Sequence, residues 1–164
     1  KGLYVAFIDS DDVWKKNKLL IQLNFMTKNS YDFIFTSYSV IDEKNRILSN
    51  RIVYFDAKYS DLIKSNYIGL STVMAKKKIF LKNNFPNLKT QEDFALWLNL
   101  LRKGYRLRHL KNILSYWRKT KNSLSSKKFQ KIRDAFKLFY EFENKNFIFS
   151  IYSVLVLSYN KLLK

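Results

Sequence analysis

The order of apolar and polar positions divides the chain into alternating strand and helix signals. Residues 3–8, Leu3-Tyr4-Val5-Ala6-Phe7-Ile8, are an unbroken apolar run of strand formers, which predicts a buried central strand. It stops at Asp9-Ser10-Asp11-Asp12. Over residues 15–28, Leu19, Leu20, Leu23 and Met26 recur at helical spacing, and Asp12 is placed to cap that helix. Residues 31–41 carry Phe33, Ile34, Phe35 and Val40 and predict a second strand. Asp42-Glu43-Lys44-Asn45 predicts a turn, with a returning strand over residues 46–55.

A short helix is expected at residues 59–65, a strand at 71–75 and a basic helix around 76–82. A polar loop with Pro86 follows at 83–90. Residues 91–103 have strong helical periodicity through Phe94, Leu96, Trp97, Leu100 and Leu101, and Gly104 stands where a C-cap belongs. Two short strands, 105–110 and 113–117, precede a polar linker at 120–126. A charged amphipathic helix over 127–144 and an apolar one over 147–163 end the chain. The last is too short and too rich in serine to read as a membrane span. The alternation predicts an α/β domain over residues 1–126 and a helical tail over 127–164.

With 164 residues, nearly half of them hydrophobic, the chain has enough material for one real core. It has no cysteine, which excludes a disulfide scaffold, a zinc–thiolate site and a cysteine nucleophile. Its one histidine, His109, is expected to be structural, and a hard metal would fall to carboxylates. The net charge of +18 attracts polyanions. General solubility, an anionic membrane surface and nucleic acid are the open readings of that charge. No nucleic-acid motif is present and the acid-rich strand end opposes one, so no nucleic-acid partner is expected. Leu3 to Ile8 opens the chain in mid-core, so an N-terminal segment is expected to be missing.

Two constellations carry candidate chemistry. Asp9, Asp11 and Asp12 crowd three carboxylates at the end of an apolar strand, where α/β sheets bind ligands. Their mutual repulsion raises their pKa values or demands a cation, and Asp-x-Asp suits Mg2+ or Mn2+ with diphosphate oxygens. An acidic turn in which Asp12 only caps a helix is the alternative. Glu92 and Asp93 open the helix of residues 91–103. They serve either as dipole compensation or as a general base for an acceptor hydroxyl.

Together the two become recognisable. Gly2-Leu3-Tyr4-Val5-Ala6-Phe7-Ile8-Asp9-Ser10-Asp11-Asp12-Val13-Trp14, with Lys18-Leu19 and Gln22-Leu23, resembles the Asp-x-Asp region of family 2 glycosyltransferases. Gln91-Glu92-Asp93-Phe94 through Leu96-Trp97-Leu98, then Leu101 and Lys103-Gly104-Tyr105, resembles their Glu-Asp motif. The separation of roughly eighty residues also fits. Ser71-Thr72-Val73-Met74, Tyr116-Trp117-Arg118 and Ser123-Leu124-Ser125 look like further matches, so the resemblance covers residues 1–126.

The resemblance implies a partial GT-A fold, a Rossmann-like mixed sheet flanked by helices, lacking the N-terminal nucleotide-binding half. It implies an inverting transfer from a nucleotide-sugar, UDP-sugars favoured, to a saccharide or lipid-linked acceptor in bacterial surface polysaccharide assembly. Asp11 would be the metal ligand, with Asp9 near the ribose or sugar and Asp12 assisting. Asp93 would be the catalytic base, and Glu92 would orient it or contact the acceptor. Trp97, at i, i+4 from Asp93, is either core or a sugar-stacking platform. Arg118 and Lys119 either reach diphosphate or form a solvated basic loop. Some relatives carry a histidine after the Tyr-Trp-Arg stretch; here that stretch reads Lys119-Thr120-Lys121-Asn122. The expected place is the cytoplasm, peripheral to the inner membrane face, with the tail either on the membrane or packed as a hairpin. The alternative to an enzyme is a non-catalytic remnant or accessory binding domain.

Overall fold

The computed structural model describes residues 2–120 and 128–162. The chain opens with β1 (Tyr4–Ala6), β2 (Val13–Trp14) and α1 (Lys18–Lys28), followed by β3 (Phe33–Ile41), β4 (Ile47–Arg51) and α2 (Tyr59–Leu62). A 3-10 turn, Leu70–Thr72, leads into β5 (Met74–Lys76), α3 (Lys77–Lys82), α4 (Glu92–Arg102) and β6 (Arg108–Arg118). The tail is α5 (Lys128–Lys137), a π-helical turn at Leu138–Phe142, and α6 (Phe147–Leu162).

These elements form the α/β architecture that the alternation predicts, around one mixed sheet of order β1-β5-β3-β6-β2, with β4 also on β3. β3 and β6 are parallel and the other pairs antiparallel. β3 is buried along almost its whole length, which explains its run of apolar residues on both faces. The parallel register sets Ile34 beside Arg108 and Ile41 beside Arg118, so the ends of β3 and β6 lie together.

Three local readings change. β1 is three residues long and sits at the end of the sheet, with β5 as its one neighbour among the described residues. An apolar run reports buried faces and carries no count of neighbouring strands. The two strands expected at 105–110 and 113–117 are one strand, β6. Lys111 and Asn112 are exposed there, and the register against β3 slips on either side of Ser37. A bulge absorbs polar residues that break the alternation. α1 starts at Lys18 because Val13 and Trp14 are drawn into pairing with β6. Its N-cap is Asn17, so Asp12 does not cap it.

Gly104 ends α4 as expected, at φ +83. Its N–H donates to the Leu101 carbonyl and that of Tyr105 to the Leu100 carbonyl, both at 3.0 Å. This double closure requires a left-handed residue, which glycine supplies without cost. α4 is buried on nearly every side, and Trp97, with no exposed surface, packs edge-on against Phe33 and Phe85. The tail helices share this core through Ala135, Leu138, Phe139 and Val154.

Truncating Trp97 leaves a cavity that fixed neighbouring rings cannot fill. Trp97→Ala should cost about 3–5 kcal/mol of stability, read from chemical denaturation. A loss below about 1 kcal/mol would contradict its place in the core.

Candidate active site

The acid loop after β1 is folded by its own backbone, with the Asp12 N–H donating to the Asp9 carbonyl at 3.1 Å. The Asp9 N–H donates to the Ser71 hydroxyl at 3.0 Å, and the Ser71 side chain also hydrogen-bonds Asp12. Ser71 thus connects the loop to the turn Leu70–Thr72. A buried ladder from the start of α1 holds that turn. Trp14 Nε1 donates to the Ser71 carbonyl at 2.8 Å and Gln22 Nε2 to the Thr72 carbonyl at 2.9 Å. Lys18 has no exposed surface; its ammonium donates to Gln22 Oε1 and lies 4.2 Å from the Trp14 ring centre. Burial pulls its pKa down to about 7. Lys18 and Gln22 entered the sequence reading only as part of the resemblance, and Gln22 bonds a turn some fifty positions away.

Arg118 closes the other side. Its N–H donates to Asp12 Oδ1 at 2.9 Å and its Nε to the Asp11 carbonyl at 2.8 Å. Its Nη1 and Nη2 reach the Asp42 carbonyl at 2.9 Å and Asn45 Oδ1 at 2.8 Å. The guanidinium, read from the sequence as either reaching diphosphate or lying in a solvated basic loop, is engaged in fixing the acid loop to the β3–β4 turn. The Lys119 N–H donates to the Ile41 carbonyl at 2.8 Å and its side chain is exposed.

α4 delivers the second constellation. Its N-cap, Gln91, is left-handed at φ 65, and its side chain donates to the Lys131 carbonyl at 2.9 Å. Buried Asp134 of α5 accepts both the Thr90 N–H, at 2.9 Å, and the Thr90 hydroxyl, at 2.8 Å. The tail thus sets the strained entry into the helix that carries Glu92 and Asp93. Nothing in the pattern marked Asp134, which reads as one more charge on an amphipathic helix.

A cavity of about 160 Å³ brings Asp9, Asp12 and Asp93 together, walled also by Tyr38, Ser115, Trp117 and residues 69–72. Asp11 and Glu92 do not line the cavity, and their charges act on Asp9. Trp97 is core and offers no face to a sugar; the aromatic rings at the cavity are Tyr38 and Trp117, and Trp117 is partly exposed. Tyr38 had no sequence signal, since it is one polar-tipped ring in a buried strand. A larger hollow of about 410 Å³, lined by Lys82, Asn83, Lys103, Gly104 and Tyr105, has no carboxylate in its wall. His109 is away from the cavity, packed on Phe35 and in contact with the Ser37 hydroxyl at 3.2 Å. Burial lowers its pKa. Lys121, Asn122 and Ser123-Leu124-Ser125 fall outside the described residues.

The charges acting on these acids are other acids. Burial, then Glu92 and Asp9, push Asp93 up to about 7 against the bond it accepts from the Phe94 N–H. Asp12 is raised to about 6, by burial first and by Asp9 and Asp11 next, while its bonds to Ser71 and Arg118 oppose the rise. Asp9 is raised by burial, Asp11 and Glu92. Burial raises Tyr38 most, the Arg51 charge opposes the rise, and Asp93 and Asp12 add to it, so the hydroxyl stays neutral. The oxygen-only donor set and its uncompensated negative charge fit a hard divalent cation. Among the described residues no three metal-ligating side chains are already gathered.

The family model for glycosyl transferase family group 2 matches residues 4–163. A Bacillus subtilis protein described as a teichuronic acid biosynthesis glycosyltransferase is 37% identical over 149 residues, 90% of this chain and 59% of its own. The Escherichia coli UDP-Glc:alpha-D-GlcNAc-diphosphoundecaprenol beta-1,3-glucosyltransferase WfgD is 32% identical over 133 residues, 80% of this chain and 52% of its own. The chain therefore spans a little over half the length of these two relatives. Among solved structures, S. aureus TarS in complex with UDP-GlcNAc superposes with a TM-score of 0.63 at 17% identity, covering 94% of this chain and 47% of that one. That likeness concerns the fold, which is the GT-A architecture the sequence motifs imply. On the family match and the identity to these relatives, the chain belongs to glycosyl transferase family group 2.

Proposed function

We propose that this protein transfers a sugar from a nucleotide-sugar to a hydroxyl of a saccharide or lipid-linked saccharide in bacterial surface polysaccharide assembly. The observation that carries the reading is the meeting of Asp93 with Asp9 and Asp12 in one cavity. The donor class is supported by the UDP-GlcNAc in the TarS complex and the UDP-Glc in the E. coli relative's name. The diphosphoundecaprenol acceptor named for that relative supports a lipid-linked acceptor here.

The acids divide the work. Asp11, with Asp9 and Asp12 beside it, would hold Mn2+ or Mg2+, which when bound supplies Lewis-acid neutralisation of the leaving diphosphate. Asp93 accepts the proton of the acceptor hydroxyl as that oxygen attacks the anomeric carbon. A base raised to about 7 is matched to this task near neutral pH. Glu92 supplies negative charge that keeps Asp93 basic. A single displacement, with the base on the acceptor's side, inverts the anomeric centre. Trp117 lines the same space and offers a ring face to sugar.

Activity tests the division directly. With UDP release as the readout, Asp93→Asn should lower kcat by about 10²- to 10⁴-fold while changing the donor KM little. Unchanged turnover would remove Asp93 from catalysis. The metal assignment has its own readout: Mn2+ should raise the Tm of the wild type and not that of the Asp9→Asn/Asp11→Asn double variant.

The raised acids also set the pH dependence of stability. Above about pH 7 the folded protein must carry the Asp93 charge at a penalty, and below the ordinary carboxylate value of 3.8 both folded and unfolded states are protonated and the penalty is gone. Asp93→Asn should therefore stabilise the protein by about 2 kcal/mol at pH 8, less than the full shift implies because the cluster relaxes toward solvent. The gain should shrink as pH falls from 7 toward 4. A gain that grows on acidification would refute the assigned direction.

A further inference from the structure

The cavity that gathers the acids has one orphaned group in its wall. Ser115 is 1% exposed, and its hydroxyl has no hydrogen-bond partner among the described residues. A buried hydroxyl in that state is costly and calls for a functional reason. The wall's other aliphatic hydroxyls are engaged. Ser71 accepts the Asp9 N–H at 3.0 Å, and Thr72 Oγ1 donates to the Gly69 carbonyl at 2.7 Å. Thr36 Oγ1 and Trp97 Nε1 are also buried without a partner among the described residues, but neither residue lines the cavity.

The sheet fixes where this hydroxyl sits. Ser115 is in register with Tyr38 of β3 on one side and Trp14 of β2 on the other. Residues in register share a face of the sheet, and Trp117, two positions on, shares it too. Tyr38, Ser115 and Trp117 all line the cavity, so that face is its floor. Trp14 is tied to the Ser71 carbonyl, and the Lys15 N–H donates to the Leu114 carbonyl at 2.9 Å. The hydroxyl therefore stands on a strand paired on both sides, which is a rigid mount.

The surroundings limit what can meet it. Asp9, Asp12 and Asp93 in the wall oppose an anion. The space, about 160 Å³, is well below the roughly 300 Å³ and more of pockets for drug-sized ligands, so it suits a single ring rather than a nucleotide. Acids, hydroxyls and the partly exposed Trp117 ring match a neutral ring with many hydroxyls and one apolar face. We propose that Ser115 is a specificity-determining residue of this site, its Oγ hydrogen-bonding a ring hydroxyl of a pyranose seated over Tyr38 and Trp117. The proposal rests on the reading of this cavity as the transfer site. The ring is the donated sugar or the acceptor's, and both offer the same hydroxyl chemistry.

Ser115→Ala separates recognition from structure. An unpaired hydroxyl adds nothing to the fold, so the variant should keep its Tm or gain slightly. In NMR titrations of the nitrogen-15-labelled 164-residue chain, methyl β-glucopyranoside should shift the Tyr38 and Trp117 amides saturably. Ser115→Ala should bind it about three- to tenfold more weakly. One monodeoxy analogue should bind the wild type as weakly as the variant binds the parent sugar, and the variant should not tell the two apart. With UDP release as the readout, a raised KM for UDP-glucose would assign the ring to the donor, and a raised KM for the saccharide acceptor would assign it to the acceptor. Sugar affinity unchanged in Ser115→Ala, or no saturable binding to the wild type, would overturn the proposal. A lowered Tm would overturn it equally, since the hydroxyl would then be paired within the fold. Normal turnover and KM values in Ser115→Ala would remove this inference alone, whereas sugar binding without any UDP release would remove the transferase reading.

Discussion

Arg118 stands at the junction of three segments that the sequence keeps far apart. Its backbone and side chain reach the acid loop at Asp11 and Asp12, and the same guanidinium holds the β3–β4 turn at Asp42 and Asn45. It can do so because β3 and β6 run parallel and end together. A planar guanidinium with several fixed donors suits three acceptors in different directions, which a lysine ammonium cannot meet at once. The bonds go to backbone carbonyls, an amide and one carboxylate oxygen. Arg118 therefore orders the loop without forming a side-chain ion pair that would cancel its charge.

That leaves the cavity with a concentrated negative charge that the fold must support. Asp9, Asp12 and Asp93 each rise in pKa because burial and like charges oppose ionisation. Such crowding lowers the stability of the protein at neutral pH and favours protonation of these acids. The Trp14–Lys18–Gln22 ladder and Ser71 hold the geometry from below, with their polar groups bonded out of solvent. The buried lysine points into that ladder, and acids are absent from the influences that shift it.

The tail is joined to the chemistry by hydrogen bonds as well as by packing. Asp134 captures Thr90, Gln91 reaches the Lys131 carbonyl, and Arg102 with Tyr59 engages Glu143. α5 therefore sets the entry of α4 and with it the direction of Asp93. α6 uses one face for this packing and leaves the other exposed. One helical hairpin can thus position the helix that carries Asp93 and present an outward surface, because an α-helix has two opposite faces.

The sequence by itself determined the α/β alternation, the two acidic constellations and the close of α4 at Gly104. These are local properties: an apolar period, a cluster of like charges, a residue free to take positive φ. It also identified Asp93 and the Asp9–Asp12 loop as candidates, through ordered motifs. It did not determine that Trp97 is core while Trp117 lines the cavity, since helical spacing fixes a side of α4 and says nothing of what covers that side. It left Asp12 as a candidate helix cap, which pairing reassigned, and it did not show the partners of Arg118, because β2 joins β6 and draws the loop into reach of a strand about a hundred positions later. Gln22, Tyr38 and Asp134 acquire meaning only from partners distant in the chain. Tertiary structure decided those, because a hydrogen bond or a shared wall depends on distance in space, and the pattern of one chain encodes only distance along it.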